Sequence, residues 1–214
     1  MSKNSFKVLR PGINTTFQDL GRDNLYHVGL PFSGAIDKRN FLIANSLITN
    51  REDDAVLEFA YQGPLLEFSG SQTSIVITGN VNFKIIKKDT SEIKGECYRT
   101  YDLDNKDRLD IISTEKSVYG YLSVKGGFKL NKFCNSYSTT VRAEIGPNDG
   151  KKIETGQTII LNAADSSIKK SLEYFNSKIE FIRVIKGTNF NYFSADSIKD
   201  FTSKDFIVSK LTDR

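Results

Sequence analysis

Short runs of β-branched and aromatic residues, separated by turn signals, constrain this chain more than any other feature. FKVLRP (6–11), LLEFSG (65–70), SIVITG (74–79), NFKIIKK (82–88), RLDIIST (108–114), YGYLSVKGGF (119–128), QTIIL (157–161) and IEFIRVIKG (179–187) all have this form. Within RLDIIST, alternation directs Leu109 and Ile111 to one face and Asp110 and Ile112 to the other. TGN at 78–80, LDNKD at 103–107 and GPNDG at 146–150 supply turns between such runs. Many short strands and few helices predict a mainly β chain, its antiparallel sheet closed into a barrel or packed as a sandwich.

One helix interrupts the pattern. KRNFLIANSLITN (38–50) places Phe41, Leu42, Ala44, Leu47 and Ile48 at helical spacing. Asp37 stands at the N-cap position, and Asn50 suits a left-handed C-terminal residue. A weaker helical segment, SSIKKSLEYFNS (166–177), separates the runs at 157–161 and 179–187 and sets an internal boundary near 175. FIRVIKGTNFNYF (181–193) echoes FKVLRPGINTTF near the start, so residues 176–214 are expected to begin a second barrel-like unit after a first unit over 1–175.

Composition excludes several classes. With 38% hydrophobic and 26% charged residues, the 214-residue chain is globular. Lys plus Arg exceeds Asp plus Glu by 30 − 26 = +4, without a basic block, so nucleic acid is not an expected partner. The apolar runs fall far short of a membrane span, and the opening MSKNSFKVLRPG lacks a signal-type apolar stretch. Cys97 and Cys134 share no Cys-x-x-Cys pairing and read as reduced thiols, which places the chain in the cytoplasm. One histidine, His27, and two distant cysteines predict no metal site.

Two polar clusters carry the candidate chemistry. TTFQDLGRDNLYHVGLPFSGAID (15–37) gathers Gln18, Asp19, Arg22, Ser33, Gly34 and Asp37 ahead of the helix. Glycines permit close backbone approach, a helix start offers free amides, and an arginine can hold a carboxylate. The same residues could equally pin a long loop with no ligand. NSYSTTVR (135–142) sets Ser138 and Thr139 near Arg142, a donor set suited to a carboxylate or urea-like group. Neither GxxxxGK[ST] nor GxGxxG occurs, and Ser33 lies in F-S-G-A rather than in a nucleophile elbow, which argues against a triad with His27. No catalytic residue follows from the residue types alone.

PGINTTFQDLGRDNLYHVGLPFSGAIDKRNFLIANSLITN (11–50) resembles the N-terminal signature of the biotin-dependent carboxyltransferase subdomain A/B family. That family includes allophanate hydrolase subunit 2, KipA and the C subunit of 5-oxoprolinase. The resemblance continues through AVLEFAYQGPLLEF (55–68), YGYLSVKGGF (119–128), NSYSTTVRAEIG (135–146) and GKKIETGQTI (150–159). It implies a cyclophilin-like β-barrel over a region, 1–214, that is C-terminally truncated at VSKLTDR. It also implies a KipI-like partner with subdomains C/D and, in 5-oxoprolinase, a LamB/YcsF-like subunit. The implied activity is ATP-dependent conversion of 5-oxoproline to glutamate. The alternatives are carboxyl transfer from carboxybiotin to urea, or regulation by a KipA-like chain that only binds a KipI-like protein. With no phosphate loop here, ATP or carboxybiotin is expected at an interface or on the partner. Gln18, Asp19 and Arg22 would then orient a small polar or carboxylate substrate, Ser33 and Gly34 would contact it, and Asp37 would cap the helix. Ser138, Thr139 and Arg142 rank second, and His27 carries no part of the pattern.

Overall fold

In a computed structural model of the chain, the structure describes residues 4–165, 169–173 and 181–207. The chain divides into two units, Met1–Tyr174 and Phe175–Arg214.

The first unit holds eleven strands: β1 (Ser5–Arg10), β2 (Thr16–Gln18), β3 (Val56–Ala60), β4 (Leu65–Ser69), β5 (Gln72–Thr78), β6 (Val81–Ile86), β7 (Glu92–Lys94), β8 (Thr100–Asp104), β9 (Arg108–Thr114), β10 (Tyr119–Val124) and β11 (Thr158–Ile160). They form a six-stranded sheet, β11-β1-β4-β9-β6-β7, and a five-stranded sheet, β2-β3-β10-β5-β8, in which every pairing is antiparallel. The mainly β class therefore holds. The expected barrel takes the form of two sheets around one core, and no strand pairing among the described residues closes a ladder.

Period-2 alternation builds that core. Phe6 and Val8, Leu66 and Phe68, Phe83 and Ile85, and Leu109 and Ile111 come from the larger sheet. They meet Phe17, Leu57, Phe59, Ile75, Ile77, Leu122 and Val124 from the smaller one. Phe6 and Phe68 pack edge to face at 5.7 Å between ring centres, and Phe17 meets Phe128 in the same way at 5.3 Å.

The sequence pattern does not mark β3 as a strand, because VLEFA does not alternate and all five of its residues are buried. Leu57 and Phe59 enter the inter-sheet core, while Val56 lies on the opposite face beneath helix α1 (Lys38–Leu47). Phe41 of α1 packs with Val56 and Tyr121, and Ala44, Leu47 and Ile48 pack with Val76 and Tyr98. The Asp37 side chain caps this helix by accepting from the Asn40 amide at 3.0 Å, as its sequence position indicates.

A buried polar network fastens the helix entry to the sheet. Glu58 faces Tyr121 across β3 and β10 and accepts from the Tyr121 hydroxyl at 2.9 Å and from the Ile36 amide at 2.8 Å. The Tyr121 hydroxyl in turn accepts from the Asp37 amide at 2.7 Å. Burial, together with the Glu58 carboxylate, drives the Tyr121 phenol far above its ordinary range, so it stays protonated as a donor.

Seven of the eight expected strands appear as β1, β4, β5, β6, β9, β10 and β11. Much of the segment at 166–177 lies outside the described residues. Within it, Ser171 bridges antiparallel to Arg99, and residues 169–173 are not helical. In the second unit the described residues 181–207 hold a 3-10 turn, Phe190–Tyr192, and helix α2 (Ala195–Ser203). Ser194 caps α2 by accepting from the Ser197 amide at 3.1 Å. Residues 181–187 form no strand; the first two residues of the run expected there, 179 and 180, lie outside the described residues. Among the described residues no helix is long and apolar enough to cross a membrane.

Replacing Tyr121 with Phe removes one donor from Glu58 and orphans the Asp37 amide. We expect a loss of about 1–3 kcal/mol in urea unfolding, with an unchanged denaturant slope.

Candidate functional site

Loop 19–37 leaves the end of β2 and folds back on itself. The Ala35 amide donates to the Asp19 carbonyl at 2.9 Å, and the Arg22 amide donates to the Phe32 carbonyl at 2.7 Å. This pinch requires glycine twice. A Cβ on Gly21 (φ 98°) would stand 2.7 Å from the Phe32 ring, and one on Gly34 (φ 89°) would stand 2.9 Å from the Leu20 backbone. Ser33 precedes Gly34 and is itself left-handed, at φ 58°.

The base of the loop meets the segment 133–140. Phe133 and Ser136 exchange backbone hydrogen bonds across Cys134 and Asn135, both at positive φ, which is the geometry of a tight I′ hairpin. Three consecutive residues, Ser136 to Ser138, then turn on Asp19. Its Oδ1 accepts from Ser136 Oγ at 2.7 Å, from Ser138 Oγ at 2.5 Å and from the Gly21 amide at 2.8 Å. Its Oδ2 accepts from the Tyr137 amide at 2.6 Å. The buried carboxylate is thus satisfied by four hydroxyl and amide donors, and a hydrogen bond to a charged group is stronger than one between neutral groups.

Gln18 and Arg22 flank Asp19 and are each 2% exposed. Gln18 Nε2 donates to the Thr139 carbonyl and to Thr16 Oγ1, both at 2.9 Å. Arg22 Nη2 donates to the Ser138 carbonyl, and Nη1 reaches Thr140 Oγ1 at 3.5 Å. The guanidinium lies 5.7 Å from the Phe133 ring centre. Burial lowers the Arg22 pKa, an effect opposed by the nearby Asp19 carboxylate. Among the described residues no carboxylate forms a direct ion pair with Arg22. Gln18 Oε1 and Arg22 Nε are both buried without a hydrogen-bond partner. An unmet acceptor and an unmet donor thus belong to neighbouring side chains that clasp consecutive carbonyls of one segment.

Ser33 Oγ accepts from Thr140 Oγ1 at 3.1 Å and reaches the Thr139 carbonyl at 3.4 Å. The structure therefore brings together Gln18, Asp19, Arg22, Ser33, Ser138 and Thr139, with Gly34 shaping the turn. Both carboxylate oxygens of Asp37 engage Asn40 at the helix start. Arg142 is exposed on the 3-10 turn Val141–Ala143, and His27 is exposed on another, Tyr26–Val28. Ser136, Tyr137 and Thr140 also join the site; they belong to the hydroxyl-rich run 135–142 but are not singled out within it by the sequence. Among the described residues no group of three His, Cys, Asp or Glu could hold a metal.

Fold and site together define a two-sheet β protein with a buried acid–amide–guanidinium cluster at one sheet edge. The family model for the carboxyltransferase domain, subdomain A and B, matches residues 28–214, and the chain belongs to that family. Gln18, Asp19 and Arg22 lie ahead of the matched residues. The C subunit of the Haemophilus influenzae 5-oxoprolinase is 31% identical over 156 residues, which is 73% of this chain and 48% of that protein. The urea amidolyase of Saccharomyces cerevisiae is 27% identical over 170 residues, 79% of this chain but 9% of that protein. The crystal structure of the Kluyveromyces lactis urea amidolyase superposes with a TM-score of 0.70 at 27% identity, over 81% of this chain and 10% of that one. The chain thus spans half or less of each of these relatives.

The four bonds to Asp19 set the expected effect of removing it. Asp19→Ala should lower unfolding free energy by about 3 kcal/mol. Arg22→Met removes a buried cation lacking an ion pair but orphans the Ser138 carbonyl, so it should cost less than Asp19→Ala, about 1–2 kcal/mol. Urea denaturation of both variants measures the contrast.

Proposed function

We propose that this chain is a subunit of an ATP-dependent 5-oxoprolinase-type complex, acting with a KipI-like and a LamB/YcsF-like partner. Its part is to seat the amide-bearing substrate. The observation that carries this reading is the pair of unmet groups on Gln18 and Arg22. A cyclic amide presents one N–H and one C=O side by side, the complement of an unmet acceptor and an unmet donor. A substrate carboxylate would also compensate the buried guanidinium. Similarity to the C subunit of a 5-oxoprolinase over most of this chain supports the same substrate class.

The cluster does not suit a triphosphate. One guanidinium beside one carboxylate supplies no net positive charge for three phosphates, so ATP is assigned to the partner surface. Within this chain, Asp19 holds the loop base and Gln18 and Arg22 orient the amide. ATP, when bound elsewhere in the complex, supplies the activation that lactam opening needs.

The second reading is the carboxyltransferase part of a urea carboxylase or allophanate system. It is supported by the similarity to urea amidolyase, and urea offers the same N–H and C=O pattern. Carboxybiotin would then reach the site from a partner domain.

Co-expression with KipI-like and LamB/YcsF-like proteins, followed by an assay of ATP-dependent glutamate release from 5-oxoproline, tests the assignment. Arg22→Lys should reduce turnover by roughly a hundredfold while complex assembly persists. Full activity in an Asp19→Ala, Arg22→Ala double variant would sink the reading. Activity that avidin abolishes transfers the assignment to the carboxyltransferase, and tight assembly without turnover transfers it to a KipA-like regulator.

A further inference from the structure

Sheet edges are accounted for almost everywhere in the first unit. The outer edge of β11 receives the Lys129 amide at Ile160, that of β2 receives the Thr139 amide at Phe17, and β8 is met by the segment 169–172 through Thr100 and Lys170. Strand β7 is the remaining terminal strand, and all three of its residues are exposed.

The backbone parity of β7 follows from its neighbours. Gly95 donates to Phe83 at 2.9 Å and Lys87 donates to Ser91 at 2.8 Å, so the bonded pairs along β6 and β7 are 83/95, 85/93 and 87/91. Ile93 therefore bonds inward, and the amides and carbonyls of Glu92 and Lys94 point away from the sheet. Lys94 stands opposite Lys84 in the register, an unfavourable like-charge pair. Glu92 relieves Lys84 by a 2.7 Å ion pair, while Lys94 has no ion pair among the described residues. Ile93 shares the face of buried Ile85 yet is 43% exposed.

We infer that β7 is a docking edge for a second copy of this chain, paired antiparallel about a two-fold axis between the two Ile93 residues. Only this register sets Glu92 of each copy opposite Lys94 of the other and gives that lysine a counter-charge. It also turns the outward amides and carbonyls of residues 92 and 94 toward their counterparts, making four backbone hydrogen bonds. The two Ile93 side chains meet at the close, non-bonded position of the ladder. Glu-Ile-Lys is thus complementary to itself when reversed and not when parallel. Edge strands of ordinary proteins carry charge to repel all comers; here the two charges favour the register centred on Ile93 over those that set Glu92 opposite Glu92 or Lys94 opposite Lys94. Two six-stranded sheets would join into one of twelve. An edge of three residues is small, so the dimer belongs to the weak, concentration-dependent class.

Sedimentation velocity on the full chain, over a concentration series reaching about 100 µM, reads the association. Lys94→Pro removes an outward amide without touching the ladder to β6, and Glu92→Lys sets like charges opposite each other. Each should weaken the dimer by about tenfold or more. The exchange Glu92→Lys with Lys94→Glu should restore it, an outcome that general destabilisation does not produce. Far-UV circular dichroism and melting temperature establish that each variant is folded, and the charge series suffices if Lys94→Pro is not. Ile93→Cys should trap a disulfide dimer under mild oxidation, because the paired Cα atoms would lie about 4.5 Å apart. A wild-type chain that stays monomeric while Ile93→Cys cross-links no more than wild type overturns the inference. A dimer indifferent to Lys94→Pro and Glu92→Lys overturns it equally.

Discussion

Everything in the candidate site depends on how the Asp19 carboxylate is satisfied. Four donors reach it from two segments far apart in sequence, the glycine loop after β2 and the residues that close the hairpin at 133–136 and follow it. Asp19 uses its oxygens on hydroxyls and amides, and among the described residues Arg22 beside it has no direct carboxylate partner. The two charges still lower each other's burial cost through space, which is less than a contact would give. The candidate site thus holds a buried guanidinium whose charge is balanced through space by Asp19 rather than by a direct ion pair.

The sheets support this arrangement. Sheet edge β2 receives the Thr139 amide, which fixes the height at which the Ser138 and Thr139 carbonyls present themselves to Arg22 and Gln18. On the far side of the loop, Glu58 and Tyr121 hold residues 36 and 37 against β3 and β10, so helix α1 begins at a defined place. Rigid ladders at both ends make the loop between them a held object rather than a free one.

Much of this is legible in the sequence because it is local. Alternation in RLDIIST, the apolar face of KRNFLIANSLITN and the position of Asp37 each encode a nearest-neighbour effect. What escapes is tertiary. Strand β3 is covered on both faces, so it lacks the period that marks a strand, and its single charge, Glu58, becomes readable only once Tyr121 stands opposite. Gln18, Asp19 and Arg22 are recognisable as a polar group with glycines. Their attachment to Ser136, Ser138 and Thr139 spans more than a hundred residues, and residue types alone do not specify it. The run at 179–187 shows the reverse failure. Its composition suits a strand, but the described residues 181–187 have no neighbouring strand to pair with, and a strand exists only in a sheet.

The pinch between residues 19 and 35 and between 22 and 32 has a consequence for how such a chain diversifies. It isolates the tip, residues 23–31, from the packing that holds the base, and Tyr26, His27 and Val28 there are exposed. Insertions or substitutions in the tip should cost the scaffold little. The loop is built as an exchangeable cassette on a fixed socket.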